Sequence, residues 1–342
     1  MSNLDLPQAG AEEMAVAGEV VPPGEARAMS LIVSAIEEKV RAAAIADPPA
    51  RRDAHPKSHG CVRAEFRVLE DLPAALSVGL FARPRLFEAW IRFSNGSAKP
   101  QADGVGDGRG MAIKVMGVEQ SPSTTQDFVM INGPAFFVRD AADYVDFQAA
   151  ANPLGFFLPS LNPFRWRLHE LIAARAIAGR KVLNVLNSRY WSMTPCALGR
   201  NACKYSAAPV GEASPFTGAE GPDFLRDNLV AHLAGREASF DLMLQPRAAP
   251  RQMPIEDPTI AWSETAGPFT AVARITIPSQ SFDSPEQRAF GEALSFTPWH
   301  CDPAHRPLGG INRVRRAVYE EVSKLRHELN GEPRREPAGF AL

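Results

Sequence analysis

The sequence has 342 residues, of which 45% are hydrophobic and 22% are charged, and its formal net charge at pH 7 is -2. This composition is typical of a globular chain, and the near-neutral charge gives no general reason to expect nucleic acid or an anionic membrane as a partner. The sequence contains no run of about 18 or more apolar residues, so we expect no membrane span.

Four cysteines, Cys61, Cys196, Cys203 and Cys301, are too few and too scattered for a disulfide framework, and we expect reduced thiols. The N-terminus has acidic residues and lacks a basic start followed by an apolar run, so it does not look like a signal or transit peptide. These features predict a cytoplasmic location.

The elements follow from composition and spacing. Residues 1–24 are rich in Ala, Gly, Glu and Pro without a period, which predicts a disordered N-terminal arm. Apolar residues at helical spacing predict a first helix over 25–46. Short strand-type runs bounded by Gly, Pro, Asn or Asp follow at 61–69, 88–94, 110–117, 127–132, 203–209, 238–244 and 269–277. They predict an antiparallel sheet or barrel.

Helical patterns lie between these strands. Over 157–188, five apolar residues are spaced for one buried face, namely Trp166, Leu168, Leu171, Ile172 and Ile177. A shorter helix is predicted at 224–233. No linker divides the chain, so we expect one α+β domain over 25–330, an antiparallel β-barrel with surrounding helices, and a flexible tail over 331–342.

The segment 312–329, NRVRRAVYEEVSKLRHEL, predicts a helix because it has an apolar stripe and no Gly or Pro. Arg315, Tyr319 and Arg326 lie within roughly 40° of one another on one helical face. A cation one turn away favours ionisation of a phenol, and a phenolate is a good ligand for ferric iron. Considered alone, the segment is more simply explained as a surface helix with scattered arginines and a half-buried Tyr319.

Five short segments resemble the catalase superfamily, in that family's order. RDAHPK at 52–57 resembles its Arg-x-x-His-Ala-Lys, and RFS at 92–94 resembles its Arg-Phe-Ser strand. DGRGMAIK at 107–114 resembles Asp-Pro-Arg-Gly-Phe-Ala-x-Lys, and DFVMINGPAFFVRD at 127–140 tracks Asp-Leu-Val-x-Asn-Asn-x-Pro-x-Phe-Phe-x-Arg-Asp. The helix of Tyr319 reproduces the family's spacing of proximal Arg, ligand Tyr and propionate Arg. The likeness is closest to short, divergent catalase-related haem proteins.

This resemblance implies a catalase-like fold with a C-terminal proximal haem-binding helix, haem (haem b) with its iron as cofactor, and peroxide chemistry. It makes His55 the distal acid/base and Tyr319 the iron ligand, with Arg315 keeping the phenolate ionised. The remaining roles carried over are propionate contacts for Arg52, Arg92 and Arg326, a hydrogen bond to His55 for Ser94, and a place at the distal cavity or its entrance for Phe136, Phe137 and Tyr144.

The sequence departs from the family at Ile131, which replaces the first Asn of Asn-Asn-x-Pro, a residue that helps to hold peroxide. Asn132, in the second position, remains as a candidate catalytic residue, and Ala54 replaces the valine that usually precedes the distal His. Because Ile131 removes a hydrogen bond that would orient a second peroxide, we expect a peroxidase that passes through a ferryl haem and oxidises an organic donor, rather than fast peroxide dismutation.

Other functions stay open at this point. The chain could be a haem-binding or haem-storage protein without turnover, or a barrel that has lost its cofactor and binds an apolar ligand. It could also rearrange a fatty-acid hydroperoxide, with which the apolar Ile131 is compatible, although relatives with that activity keep the distal Asn. The expected partners are a small peroxide and an organic electron donor, and family habit implies a homo-oligomer.

Overall fold

The computed structural model describes residues 18–211, 220–334 and 336–340. Most of the predicted N-terminal arm, residues 1–17, lies outside this range. Next to it, Glu19 and Glu25 form ion pairs with Arg313. At the other end, Phe340 packs edge-on against Trp90. The domain boundaries at residues 24 and 330 stay predictions.

The described residues form seven α-helices and nine strands. The helices are α1 Glu25–Ala46, α2 Ala141–Ala149, α3 Pro153–Phe157, α4 Leu168–Ala178, α5 Phe224–Leu233, α6 Pro285–Ala293 and α7 Gly310–Asn330. The strands are β1 Ser58–Val68, β2 Leu86–Asn95, β3 Arg109–Met116, β4 Thr125–Ile131, β5 Tyr190–Trp191, β6 Cys196–Leu198, β7 Asn201–Val210, β8 Ala238–Pro246 and β9 Thr270–Ile277.

The strands of the described chain close into a barrel. Their order is β5-β4-β3-β2-β1-β9-β8-β7-β6, and β5 also pairs with β7. All of these pairings are antiparallel. Because β5 pairs with both β4 and β7, eight strands form a closed ring, and β6 pairs with β7 outside it. The predicted antiparallel β-barrel with surrounding helices is confirmed.

Side chains alternate across the barrel wall, as the two-residue period of a strand requires. On β2, Ile91 and Phe93 belong to the hydrophobic core inside the barrel. Arg92 and Ser94 therefore lie on the outer face, although both are buried beneath surrounding elements. Polar side chains are thus held between the barrel wall and the helices.

The helix α7 packs against α1 through the predicted apolar stripe. Val314, Val318, Val322 and Leu325 are buried, and they share one cluster with buried side chains of α1. Leu329, the last residue of the predicted stripe, is 43% exposed. Helix α7 ends at Gly331, whose φ of +66° is the left-handed cap that a glycine adopts at little cost.

The prediction of one buried helical face over 157–188 is wrong. The only α-helix that lies wholly within these residues is α4. A continuous helix cannot run through Pro163, because proline in a helix interior breaks the hydrogen-bond pattern, and the chain forms the short 3-10 turn Pro163–Arg165 there. Of the five residues predicted to be buried, Trp166, Leu168 and Ile172 are exposed. Ile177 is buried.

All four cysteines are free, in agreement with the predicted reduced thiols, and all four are buried. Cys196 and Cys203 lie opposite each other on β6 and β7, with their sulfurs 3.5 Å apart. Within the described ranges, no helix is both long enough and apolar enough to cross a membrane.

Candidate functional site

His55 lies just before β1 and is fixed by contacts on several sides. Its amide donates to the carbonyl of Gly96 (3.3 Å), its carbonyl accepts from Arg92 Nη1 (3.0 Å), and its ring Nδ1 lies 3.0 Å from Ser94 Oγ. Its φ is +59°, in the left-handed region that few non-glycine residues occupy. Such strained backbone is often found at functional sites.

Gly110 makes room for this imidazole. It pairs with Ser94 across β2 and β3, and a Cβ at Gly110 would lie 2.6 Å from His55 Nδ1 and 2.9 Å from Ser94 Oγ. Because Ser94 faces outward, the ring of His55 lies on the outer face of the barrel. A histidine just before a barrel strand could instead point its ring into the barrel interior, but here Phe93 and Met111 fill that space.

The outer wall and helix α7 line a cavity that is open to solvent on one side, and its volume, including this open part, is about 860 Å³. Six of the sequence-predicted site residues line it, namely Arg52, His55, Arg92, Ser94, Tyr319 and Arg326. They come from β2, from α7 and from the segment before β1. The fold therefore brings together residues that are as far apart in sequence as Arg52 and Arg326.

Tyr319 meets Arg315 on the cavity side of α7. The phenol oxygen accepts from Arg315 Nη2 at 3.2 Å and lies 3.4 Å from Nε. Arg315 is also held by Thr194 and Asn312 through Nη1. Burial alone would lower the pKa of Arg315, but the nearby phenols, Tyr319 first, together raise it. Arg315 thus keeps a full positive charge beside the phenol oxygen.

Three arginines converge at one end of the cavity. Arg52 Nη1 and Arg92 Nη2 lie 2.6 Å and 2.9 Å from the carboxylate oxygens of Glu292, and Arg326 Nη1 donates to the Glu292 carbonyl at 2.6 Å. Arg52 is also held by the carbonyl of Leu294 at 2.6 Å. This end of the cavity is strongly positive and suits an anion.

His55 is neutral over most of the pH range. Burial, with Arg92 as the next cause, lowers its pKa from 6.5 to about 4. Since Nδ1 bonds to Ser94, Nε2 is the nitrogen left to exchange a proton, and none of the residues in the described ranges bonds to it. The arrangement provides a free base that can accept a proton.

Arg315 contacts Tyr319 but does not itself line the cavity, and four further predicted site residues are also not on the cavity wall. The side-chain oxygen of Asn132 accepts from the Arg109 amide at 2.8 Å, and its Nδ2 is buried without a partner among the described residues. The others pack in an aromatic cluster on α2 and α3, which contains Phe136, Phe137 and Tyr144. Phe147 and Phe156 belong to the same cluster. The ring of Phe137 packs against Phe147 with 5.2 Å between the ring centres, and Phe147 packs in turn against Phe156.

The sequence reasoning missed Glu292, the common partner of the arginines, and the cavity residues Asp53 and Arg334. Burial raises the pKa of the Asp53 carboxyl. Asp53 lies within the segment that carries the family resemblance, so its position was a usable signal. Glu292 had no such signal, because it meets Arg52 across 240 residues of sequence.

Comparisons with known proteins agree on one family. A catalase family model matches residues 45–154. The catalase-related peroxidase of Mycolicibacterium paratuberculosis is 28% identical over 274 residues, covering 73% of this chain and 82% of that protein. Catalase A from Saccharomyces cerevisiae superposes with a TM-score of 0.66 and 18% identity, covering 85% of this chain and 65% of that one. Together, these comparisons support membership of the catalase superfamily.

The likeness in fold to solved catalases covers most of the chain. A bacterial catalase superposes with a TM-score of 0.61 and 17% identity, over 88% of this chain and 63% of its own length. The chain therefore spans less than two thirds of the solved catalases that it resembles. The matched segment 45–154 includes His55 and Ser94 but ends well before Tyr319.

Catalase-superfamily proteins typically bind haem, and the residues of this cavity fit that group. The phenol of Tyr319, with Arg315 beside it, is a suitable ligand for ferric iron. The positive end formed by Arg52, Arg92 and Arg326 suits propionate groups. The neutral imidazole of His55 lines the same cavity, where it can handle a proton. The haem type stays a prediction.

Proposed function

We propose that this protein is a haem-dependent hydroperoxidase that reduces hydrogen peroxide or organic hydroperoxides with an organic electron donor. The observation that carries the proposal is the single cavity lined by His55, Ser94, Tyr319 and the three arginines. A protein that only stores haem needs no strained, free base in the cavity. The left-handed backbone of His55 and the space left by Gly110 therefore favour an enzyme.

When bound, haem would supply an iron centre that can accept the oxidising power of a peroxide and pass it to a donor. Tyr319 would hold the iron through its phenol oxygen, which accepts a hydrogen bond from the Arg315 guanidinium at 3.2 Å. Arg52, Arg92 and Arg326 would hold the propionates. The cavity geometry and the family resemblance support these proposed roles.

His55 would move the proton of the reaction. For Nε2 to accept a proton from the hydroperoxide, Nδ1 must carry its hydrogen and donate it to Ser94 Oγ, which lies 3.0 Å away. His55 would then give that proton to the other oxygen of the hydroperoxide as the O–O bond breaks. This oxygen leaves as water from hydrogen peroxide or as an alcohol from an organic hydroperoxide. General acid/base help of this kind contributes typically ~10²–10⁴-fold to a rate.

We further propose peroxidase activity rather than fast dismutation of hydrogen peroxide. The cavity wall, as far as the chain is described, includes neither Asn nor Gln. The side-chain oxygen of Asn132 accepts from the Arg109 amide. Ile131 packs toward Gly108, where an added Cβ would lie 2.6 Å from the Cδ1 atom of Ile131. The wall therefore offers no amide to orient a second peroxide.

The test is an optical and kinetic comparison of the purified protein reconstituted with hemin. We expect a ferric phenolate spectrum that is lost in Tyr319→Phe and retained in Tyr144→Phe, a nearby phenol off the cavity wall. We also expect consumption of an organic hydroperoxide with a donor dye, reduced about 10²-fold or more in His55→Asn, because asparagine suits the left-handed backbone but is not a base.

Each part of the proposal can fail separately. Hemin binding without peroxide consumption would leave only a haem-binding protein. Oxygen release from hydrogen peroxide at the rate of a fast catalase would contradict the preference for a peroxidase.

A further inference from the structure

Glu292, near the end of α6, is the meeting point of the three cavity arginines. Its carboxylate contacts Arg52 and Arg92 at 2.6 Å and 2.9 Å, and its backbone carbonyl accepts from Arg326 at 2.6 Å. These arginines come from three different parts of the chain. A carboxylate of the protein thus lies where the proposed function requires the carboxylates of a cofactor.

The arginines do not depend on the Glu292 carboxylate for their positions. Arg52 donates to the carbonyl of Leu294 at 2.6 Å, and Arg92 donates to the carbonyl of His55 at 3.0 Å. Arg326 is held by the backbone of Glu292 and not by its side chain. Backbone carbonyls therefore fix all three guanidinium groups, and what the carboxylate adds is mainly negative charge.

The charge balance at this end of the cavity favours incoming anions. Three guanidinium groups and one carboxylate leave a surplus of two positive charges. Burial, followed by repulsion from Arg92, lowers the pKa of Arg52 to about 9, which reflects poorly solvated positive charge. Burial alone would raise the pKa of Glu292, but Arg52 and Arg92 outweigh it and lower the pKa to about 2.

Glu292 lies at the solvent-exposed edge of the arginine cluster. Its side chain is 41% exposed, whereas that of Arg92 is only 4% exposed. A rotation of Glu292 toward solvent would release two guanidinium groups without moving them. An ionised carboxylate beside an anion site repels a second anion unless it moves away, and either course costs binding free energy.

We propose that Glu292 is an internal counter-anion that competes with the cofactor's propionates for Arg52 and Arg92, and so lowers the affinity of this chain for haem. In this proposal, which rests on the proposed function, Glu292 acts through its charge on Arg52 and Arg92. It stabilises the arginine cluster before the cofactor arrives and weakens the hold on the cofactor afterwards.

The test is a titration of the haem-free chain with hemin and with hemin dimethyl ester, whose propionates carry no charge, followed by Soret absorbance. For hemin, we expect Glu292→Gln to lower the Kd about fivefold at low salt, since one nearby negative charge is removed from a partly exposed site. For the ester, we expect the same Kd in both proteins. Glu286→Gln, on the exposed start of the same helix, should change neither Kd.

The outcomes separate two failures. If the wild-type chain binds hemin but Glu292→Gln binds it equally or more weakly, the inference is wrong and the proposed function stands. If the wild-type chain binds no hemin, both fail. A loss of affinity for hemin and its ester alike would mean that Glu292 only supports the fold. If Glu292→Gln does not fold, Glu292→Asp replaces it in the titration. The shorter side chain moves the negative charge away from the arginines, so the proposal requires this variant to bind hemin more tightly than the wild-type chain.

Discussion

His55 shows how strongly one residue can be constrained by its neighbours. Its backbone is in the left-handed region, its amide and carbonyl are both bonded, and its ring lies against a glycine. Burial keeps the imidazole neutral by lowering its pKa to about 4. The strained backbone of His55 therefore holds a neutral imidazole beside the cavity, which is consistent with acid/base chemistry.

Gly110→Ala tests whether the ring position matters. The new Cβ would lie 2.6 Å from His55 Nδ1, so the imidazole has to shift and its bond to Ser94 is lost. We expect peroxide consumption to fall roughly 10²-fold, since a displacement of about 1 Å can cost that much. Gly235→Ala is the matched control, because its Cβ meets no atom within 4 Å. An unchanged rate in Gly110→Ala would show that the ring position is not critical.

At the scale of elements, local patterns predict more than distant contacts do. The contact between Arg315 and Tyr319 follows from helical geometry alone, and the bounds of α1 and α5 agree with the sequence patterns. The two-residue strand β5 is too short to show any periodicity. Helix α6 did carry a signal, the Ser-Pro-Glu-Gln start at 284–287, in which Ser284 caps the amide of Gln287.

The site was predictable only where the family resemblance reached it. The resemblance supplied His55, Ser94 and the arginines, which the fold brings to one cavity. Glu292 joins Arg52 across 240 residues, and no spacing rule reports such a contact. Phe136 and Phe137, which are predicted to lie at the cavity or its entrance, pack in the aromatic cluster with α2 and α3, an arrangement that local periodicity did not predict.

The packing of α7 on α1 gives a prediction about stability. Val318 is 4% exposed within the shared cluster, whereas Leu329 on the same helix is 43% exposed. We expect Val318→Ala to lower the free energy of unfolding by about 2 kcal/mol, from lost burial and an unfilled cavity. Leu329→Ala removes a larger group and should cost only about 0.5 kcal/mol. Chemical denaturation measures both, and equal losses would contradict this packing.

For the whole molecule, the closed barrel places several ionisable groups where they cannot take up a proton freely. Four histidines have a lowered pKa, with burial as the main cause of each, namely His55, His59, His305 and His327. His305 illustrates the reason, because its Nε2 accepts the backbone amide of Leu80 at 3.1 Å and would lose that bond on protonation. The same architecture that assembles the cavity therefore makes the fold sensitive to acid.

This sensitivity gives a pH dependence with a definite sign. Below pH 6.5, the ordinary histidine pKa, the unfolded chain binds protons that the folded histidines do not bind. Their contribution to the free energy of unfolding is therefore fully present above pH 6.5 and is lost as the pH falls below it. Each additional proton bound by the unfolded chain contributes about 1.4 kcal/mol per pH unit. Below its ordinary pKa of 4.5, Glu292 adds a further loss toward its folded value of about 2.

Urea denaturation at several pH values between 7 and 4 measures the slope. We expect His305→Gln to reduce it by up to about one proton, because glutamine does not titrate. His232→Gln is the control at an exposed site, where the His232 ring bonds to the carbonyl of Glu237. A free energy of unfolding that stays constant from pH 7 to 4 would mean that these histidines accept protons within the fold, and the neutral, buried state inferred for His55 would lose its support.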